Sequence, residues 1–263
     1  MSGRESQMAA LVAMILVAMS PAPASGQDVD TRVRNAGADQ VSFRFATWPE
    51  VERCSSGWMR RGIRENRGGG LNRDLDCWSG PAEVRLEIRG GEVRSVDTEI
   101  VRAESAPDDR WTSIGTVAPS EAADYLLDLA ENADANVGED ALAAATMADG
   151  VETWPRMLEL ARNGGLDRDI RTAATFWVGQ ASADQVLDGL RGLVDDPDTE
   201  VRQAALFALS ENQGENAVPL LMEIAEGDGD PDVRRSAFFW LSQKEDPRVL
   251  AFFERVLRDG GAS

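Results

Sequence analysis

The residue types best suited to recognition chemistry in this 263-residue chain are arginines and tryptophans gathered around the segment between its two cysteines. Arginine beside aromatic rings is the combination that an anion site, a glycan site or an interface hot spot uses. The candidate interaction residues are Arg60, Arg61, Arg64, Arg67, Trp58 and Trp78. The alternative interpretation is a solvated loop, because Glu65, Asp74 and Asp76 offset part of its positive charge.

The two cysteines, Cys54 and Cys77, lie 23 residues apart. In an oxidising compartment such a pair usually forms a disulfide. The alternatives are a reactive thiol and a metal site. Because the chain contains no histidine, a zinc site would need carboxylates to complete its four ligands. We therefore predict a Cys54–Cys77 disulfide, and closing a loop of this size would contribute about 3 kcal/mol.

The chain offers no recognisable catalytic constellation. Its serines have no histidine to activate them, no G-x-S-x-G sequence occurs, and the single lysine, Lys244, has no evident serine partner. Acidic residues are so frequent that a pair of them carries no information about glycoside chemistry. We predict no enzyme activity, no catalytic residue and no cofactor.

An aspartate run at 228–232 spaces carboxylates like the start of a calcium-binding loop. The rest of that template fails, because Val233 stands where glycine is required and Phe239 where the bidentate glutamate belongs. Helix capping and compensation of the helix dipole explain these aspartates more simply. No residue is assigned as a metal ligand.

Charge excludes other classes of partner. The formal net charge is −19 at pH 7, which disfavours binding to nucleic acid or to anionic lipid. The charge is uneven, since residues 28–118 hold 14 arginines against 16 acidic residues, whereas residues 119–263 hold 12 basic against 29 acidic residues. We therefore expect an unknown protein partner that meets the second region with a basic face.

Residues 1–26 read as a signal peptide rather than as part of the fold. An apolar run extends from Met8 to Met19, followed by a small-x-small pattern that favours cleavage after Ala24 or Gly26. An uncleaved anchor is the alternative, but the run is well short of the roughly 20 residues that span a membrane. We predict an exported protein, periplasmic or extracellular, with no stable membrane insertion after cleavage.

Residues 27–118 alternate apolar and polar side chains as half-buried strands do. The alternation is evident at 41–45, at 82–88 and at 92–101, with Gly90-Gly91 as a turn between the last two. Residues 111–117 could supply one more strand. These patterns predict a small disulfide-bonded antiparallel β domain.

In residues 119–263 the hydrophobic period becomes helical, and Ser120 can cap a leading helix. Three segments, 169–180, 200–211 and 232–243, align without a gap, and their equivalent residues are spaced by 31 and 32 positions. A second helix in each unit repeats one apolar stripe, and a divergent fourth copy precedes the three. Such helix pairs bury their faces by stacking. We predict an α-solenoid of about four helix pairs plus the leading helix.

The repeated motif is D-x-x-V-R-x-x-A, at 198–205 and 230–237, with a weaker copy from Asp167. At these residues the chain resembles the HEAT repeat family, in particular the short HEAT-like repeats of phycobilin lyases, over roughly 139–260. The resemblance implies a structural ladder of aspartates and arginines between neighbouring units. Its members here would be Asp167, Asp198, Asp230, Arg171, Arg202 and Arg234.

HEAT arrays mostly bind or scaffold, so the resemblance favours a protein-binding or scaffolding module in the cell envelope without catalysis. On the second helices the outward positions Gln185, Asn216 and Arg248 differ between units, as recognition would require. Trp177 and Trp240 occupy equivalent positions, and we expect them in the core between repeats rather than in an aromatic binding groove. The alternatives are a binding protein or enzyme for a small anionic ligand or glycan that uses the arginine-rich loop, and a purely structural envelope component.

Overall fold

A computed structural model describes residues 28–54, 57–60, 77–181, 184–227 and 229–260. The predicted signal peptide lies outside these residues. The strands are β1 (Gln40–Phe45), β2 (Val51–Cys54), β3 (Gly57–Arg60), β4 (Ala82–Arg89), β5 (Glu92–Ile100) and β6 (Thr112–Thr116). The helices are α1 (Val29–Asn35), α2 (Pro119–Asn132), α3 (Ala135–Ala145), α4 (Trp154–Arg162), α5 (Arg168–Gly179), α6 (Asp184–Leu193), α7 (Thr199–Glu211), α8 (Ala217–Gly227), α9 (Pro231–Ser242) and α10 (Pro247–Gly260).

The predicted hairpin is confirmed. Strands β4 and β5 pair antiparallel around Gly90 and Gly91, whose φ angles of 65° and 83° are those that glycine adopts without strain. Strand β1 pairs antiparallel with β4, and the sheet has the order β5-β4-β1-β6. Phe43, Phe45 and Leu86 are fully buried, so the sheet packs one face into a core.

The prediction of an antiparallel domain is wrong, because the sheet is mixed: β6 runs parallel to β1. Alternation of side chains says nothing about strand direction, and β6 is reached by the long connection over 101–111 instead of a tight turn. A parallel neighbour needs such a crossover. Arg44 fixes the connection to β1, since its guanidinium donates to the carbonyls of Ser105 at 2.7 Å and Ala106 at 3.3 Å.

The predicted fold class also included a Cys54–Cys77 disulfide. That prediction lies outside the described residues, because the side chain of Cys54 is not described. Strands β2 and β3 form a separate two-stranded sheet. Hydrogen bonds of Trp78 connect this small sheet to the main sheet. Backbone hydrogen bonds of 2.8 and 2.9 Å join Trp78 with Arg53, and the indole Nε1 donates to the Ile100 carbonyl at 3.1 Å.

A buried carboxylate lies between two arginines on the sheet. Glu83 is only 2% exposed, and it accepts from Arg44 Nε at 2.6 Å and from Arg85 Nη2 at 2.8 Å. Arg85 in turn lies 3.0 Å from Glu99 on the neighbouring strand β5. Buried carboxylates are costly without such partners, so this network constrains how β1, β4 and β5 pack.

Helix α2 is followed by four units in chain order, whose first helices are α3, α5, α7 and α9 and whose second helices are α4, α6, α8 and α10. Between the layers, the closest contacts join α2 and each second helix to the first helix that follows it in the chain. The first helices contact one another in one layer, and the second helices, together with α2, form the other layer. Ile170, Ala174 and Val178 on α5 are buried at the i, i+4, i+8 spacing of a helix face turned to the core. The repeated sequence stripe therefore corresponds to a repeated packing surface.

The sheet and the solenoid share one continuous apolar core. The Phe43 ring on β1 packs edge-on against Tyr125 of α2 with ring centroids 5.9 Å apart. Beyond β1, the backbone N–H of Trp48 donates to the Met147 carbonyl at 3.1 Å, close to the end of α3. The position of the first solenoid helices is therefore fixed by the sheet.

Candidate functional site

A row of aromatic side chains crosses the first helices of three successive units. Phe176 on α5 stacks on Phe207 of α7 with ring centroids 6.2 Å apart, and Phe207 lies 5.1 Å from Trp240 on α9. A second aromatic ring extends each end: Trp177 is 5.0 Å from Phe176, and Phe239 is 4.9 Å from Trp240. We call these five residues the aromatic row. Such spacings are favourable for aromatic pairs.

The aromatic row lies at the edge of the core instead of inside it. Trp177 and Trp240 pack against the core but are only partly buried, so the expectation that they belong to the core is correct in part. Phe239 is 54% exposed. The cause is helical geometry: Phe239 follows the buried Ala237 by two residues, which is a rotation of about 200° around the helix axis. The same register therefore packs alanines inward and displays rings outward.

The aspartates of the repeat motif cap their own helices. Asp167, Asp198 and Asp230 each accept, through Oδ1, a hydrogen bond of 2.8 Å from the backbone N–H two residues later. A capping side chain satisfies a donor that the first turn of a helix leaves without a partner. These residues therefore explain where α5, α7 and α9 begin.

The arginines of the motif reach different partners. Arg171, 5% exposed, donates through Nε to the Ala161 carbonyl at 3.0 Å and forms an ion pair with Asp196, which is not one of the three motif aspartates. Arg202 donates to the Asp196 carbonyl at 2.8 Å, and its Nη2 lies 3.9 Å from Asp230 Oδ2 in the next unit.

The third arginine of the motif, Arg234, is half-buried and forms no ion pair within the described residues. The three arginines are therefore equivalent in sequence but not in their contacts.

The arginine-rich loop has little described geometry. Arg61, Arg64 and Arg67 lie outside the described residues, as do the side chains of Arg60 and Trp58, whose backbones belong to β3. Trp78 is described, and the Arg102 guanidinium lies over its ring, 4.9 Å from the ring centroid. Because its indole N–H is already bonded to the Ile100 carbonyl, Trp78 serves the packing of the sheet.

Asn212 is a contact between units that the sequence analysis missed. It is 8% exposed, and its amide nitrogen donates to the carbonyls of Gly179 and Ala181, each at 3.1 Å, at the end of α5. Its oxygen accepts from the Gly214 N–H at 2.8 Å. The equivalent positions hold Ala181 and Lys244, so no repeated residue type could have indicated this role.

No group of side chains that could hold a metal ion occurs within the described ranges. Among the helices described here, none is long and apolar enough to cross a membrane.

Helix pairs stacked in two layers with repeated caps define an α-solenoid joined to a mixed sheet. Residues 155–242 and 187–262 match the family model for HEAT repeats. The resemblance to HEAT repeats is therefore confirmed over residues 155–262, while the narrower resemblance to the phycobilin-lyase type is not confirmed. No curated protein matches the chain.

Proposed function

We propose that the chain is a protein-binding or scaffolding module whose contact surface is the aromatic row. The observation that carries the proposal is the continuity of the row over α5, α7 and α9 together with the 54% exposure of Phe239. Aromatic side chains are enriched in interface hot spots. Rings that already stack on one another lose less freedom when a partner binds, which favours affinity.

Variation at the starts of the second helices supports recognition in general, but these residues lie on the layer opposite to the aromatic row and do not bear on the choice of the row. Gln185, Asn216 and Arg248 occupy equivalent places, all three are exposed, and they differ in charge and shape. Uniform residues would be expected if this surface served only to stack units. The proposal includes no catalysis, because the described motif residues act as caps and contacts between units.

Replacement of one exposed ring tests the proposal. Phe239→Ser removes an apolar side chain that is 54% exposed, and Leu250→Ser on α10 removes one that is 65% exposed in the other layer. Each variant and the parent chain would be immobilised and incubated with a cell-envelope extract, and the retained proteins identified by mass spectrometry. We expect a protein that the parent and Leu250→Ser retain and that Phe239→Ser binds about tenfold more weakly, as loss of a hot-spot ring implies. Identical retention by all three chains would contradict the proposal.

We also propose that the protein acts outside the cytoplasm, in the periplasm or beyond the cell. The support is the apolar run of Met8–Met19 followed by Ala22 and Ala24. Cell fractionation with an intact-mass measurement tests this, and the expected mature chain begins at Ser25 or Gln27. A full-length chain confined to the cytoplasmic fraction would contradict it.

A further inference from the structure

A second surface, separate from the aromatic row, lies where α1, the turn between β4 and β5, and α2 meet. It is a groove of about 1250 Å³. Pockets for small molecules measure roughly 300–1,000 Å³, so this volume suits a polypeptide segment better. Apolar side chains form its floor, including the half-buried Ile88, Val93 and Leu129.

The rim of this groove is strongly acidic. Eight carboxylates and two guanidiniums line it. The acidic residues are Asp28, Asp30, Asp39, Glu92, Glu121, Asp124, Asp128 and Asp134, and the basic residues are Arg34 and Arg94.

Both arginines are already engaged by acids of the groove itself. Arg34 Nε lies 2.9 Å from Asp30, and Arg94 pairs with Glu92 and lies 3.5 Å from Asp134. In contrast, the exposed carboxylates of Asp39 and Asp124 form no ion pair with any described residue. These two carboxylates are therefore available to pair with cationic side chains of a partner.

An independent observation comes from a polar group in the wall of the groove. Tyr125 is 9% exposed and lines the groove, and its hydroxyl forms no hydrogen bond with the described part of the chain. Burial and, to a lesser extent, the charge of Asp30 raise the pKa of Tyr125, so the hydroxyl keeps its proton. The hydroxyl is not one of the buried polar atoms that lack a partner, so it reaches solvent. Because Tyr125 lines the groove, a partner bound there can form a hydrogen bond with it.

We propose that the groove binds a cationic amphipathic segment of a partner protein. Apolar side chains of the segment would cover Val93 and Leu129, its lysines or arginines would pair with Asp39 and Asp124, and a polar group would bond to the Tyr125 hydroxyl. Acidic walls exclude nucleic acid and anionic lipid as occupants. The inference does not depend on the aromatic row, which lies on other helices.

The test uses the full chain and a fluorescent synthetic peptide of about 15 residues, long enough for a helix, with leucines on one face and lysines on the other. Binding is measured by fluorescence anisotropy at low and at high salt. One control peptide replaces leucine by glutamine and keeps the charge, and another replaces lysine by glutamate. Phe239→Ser serves as a chain in which the aromatic row is altered and the groove is intact.

Three variants separate the groove from general attraction between charges. Asp39→Asn with Asp124→Asn removes two groove carboxylates, and Glu223→Gln with Glu245→Gln removes two exposed carboxylates elsewhere that form no ion pair with described residues. Tyr125→Phe removes only the hydroxyl.

We expect the amphipathic peptide to bind the parent chain and Phe239→Ser equally well. Both control peptides, one without leucines and one without lysines, should bind the parent chain poorly. The groove double variant should bind about fivefold more weakly, its matched control less than about twofold more weakly, and Tyr125→Phe about threefold more weakly. The melting temperature of Tyr125→Phe should be unchanged or higher.

Several outcomes would overturn the proposal. Equal losses in the two double variants would mean that net charge alone attracts the peptide, and equal binding of the glutamine control would mean that the apolar floor takes no part. Failure of the full chain to bind at low salt would exclude the groove as the site. None of these results bears on the Phe239→Ser experiment, so the two proposals fail separately.

Discussion

The sheet region, comprising α1 and β1–β6, and the solenoid, comprising α2–α10, both bury charged side chains, but they arrange them differently. In the sheet region Glu83 is 2% exposed between Arg44 and Arg85. In the solenoid Arg171 is 5% exposed and pairs with Asp196. The solenoid contact belongs to a motif that recurs along the chain, whereas the sheet network occurs at one place. The comparison teaches that repetition predicts where a motif arginine recurs but not which partner it meets, since Arg171 pairs with Asp196 whereas Arg234 forms no ion pair with described residues.

The largest effect is expected at Glu83 in the sheet region. Replacing it with alanine leaves two guanidiniums facing each other with no carboxylate between them, which should cost about 3–5 kcal/mol. Urea unfolding followed by circular dichroism would measure the change. A loss below about 1 kcal/mol, typical of exposed pairs, would show that the network does not hold the sheet and would remove the contrast with the solenoid.

The next effect tests whether the repeat arginines are equivalent. Arg171→Met leaves Asp196 as a mostly buried carboxylate, whose side chain is 9% exposed, and should cost about 3 kcal/mol. Arg234→Met at the equivalent position is the matched control. Because Arg234 forms no ion pair with described residues, we expect a loss of less than about 1 kcal/mol. Equal losses measured by urea unfolding would mean that the motif acts alike in every unit.

A smaller effect concerns how closely the solenoid helices approach. A Cβ on Gly179 would lie 2.6 Å from the Ala208 Cβ and 2.9 Å from its Cα. Gly179→Ala should therefore destabilise by about 1–3 kcal/mol through overpacking, although alanine is the better helix former. Gly192→Ala, where the nearest atom is 3.6 Å away, should instead stabilise by about 0.5–1 kcal/mol. Thermal melts of both variants that shift in the same direction would contradict this.

Sequence alone predicted the features that depend on periodicity. The repeated stripe on α5, α7 and α9 gave their phase, and Gly90-Gly91 gave the hairpin turn. The direction of β6 could not be predicted, because strand alternation is the same in parallel and antiparallel pairs. The repeating phase predicts Trp177 and Trp240 in the core, where they are only partly buried, whereas the two-residue offset of Phe239 from Ala237 turns its ring outward.

The groove could not be predicted from any local pattern. Its walls come from residues 28–39, 88–94 and 121–134, which lie far apart in sequence and meet only because α2 packs on the sheet. Likewise, Asn212 contacts the preceding unit from a position whose residue type does not repeat. Such features depend on tertiary packing, which neither composition nor spacing encodes directly.

The smallest effect concerns Tyr125, where the two regions meet. Its pKa is raised above the ordinary value of 10.0, mainly because burial disfavours the charged form. The folded chain therefore keeps a proton that the unfolded chain releases near pH 10, and linkage requires this contribution to stability to be complete below pH 10 and to be lost as the pH rises further. Tyr125 is the single tyrosine of the chain, so tyrosinate absorbance reports on it alone. We expect tyrosinate to form at a higher pH in the native chain than in urea, and Tyr125→Phe to lose less stability than the parent above pH 10. Coincident titration curves in the two conditions would show that the junction of sheet and solenoid does not bury this ring.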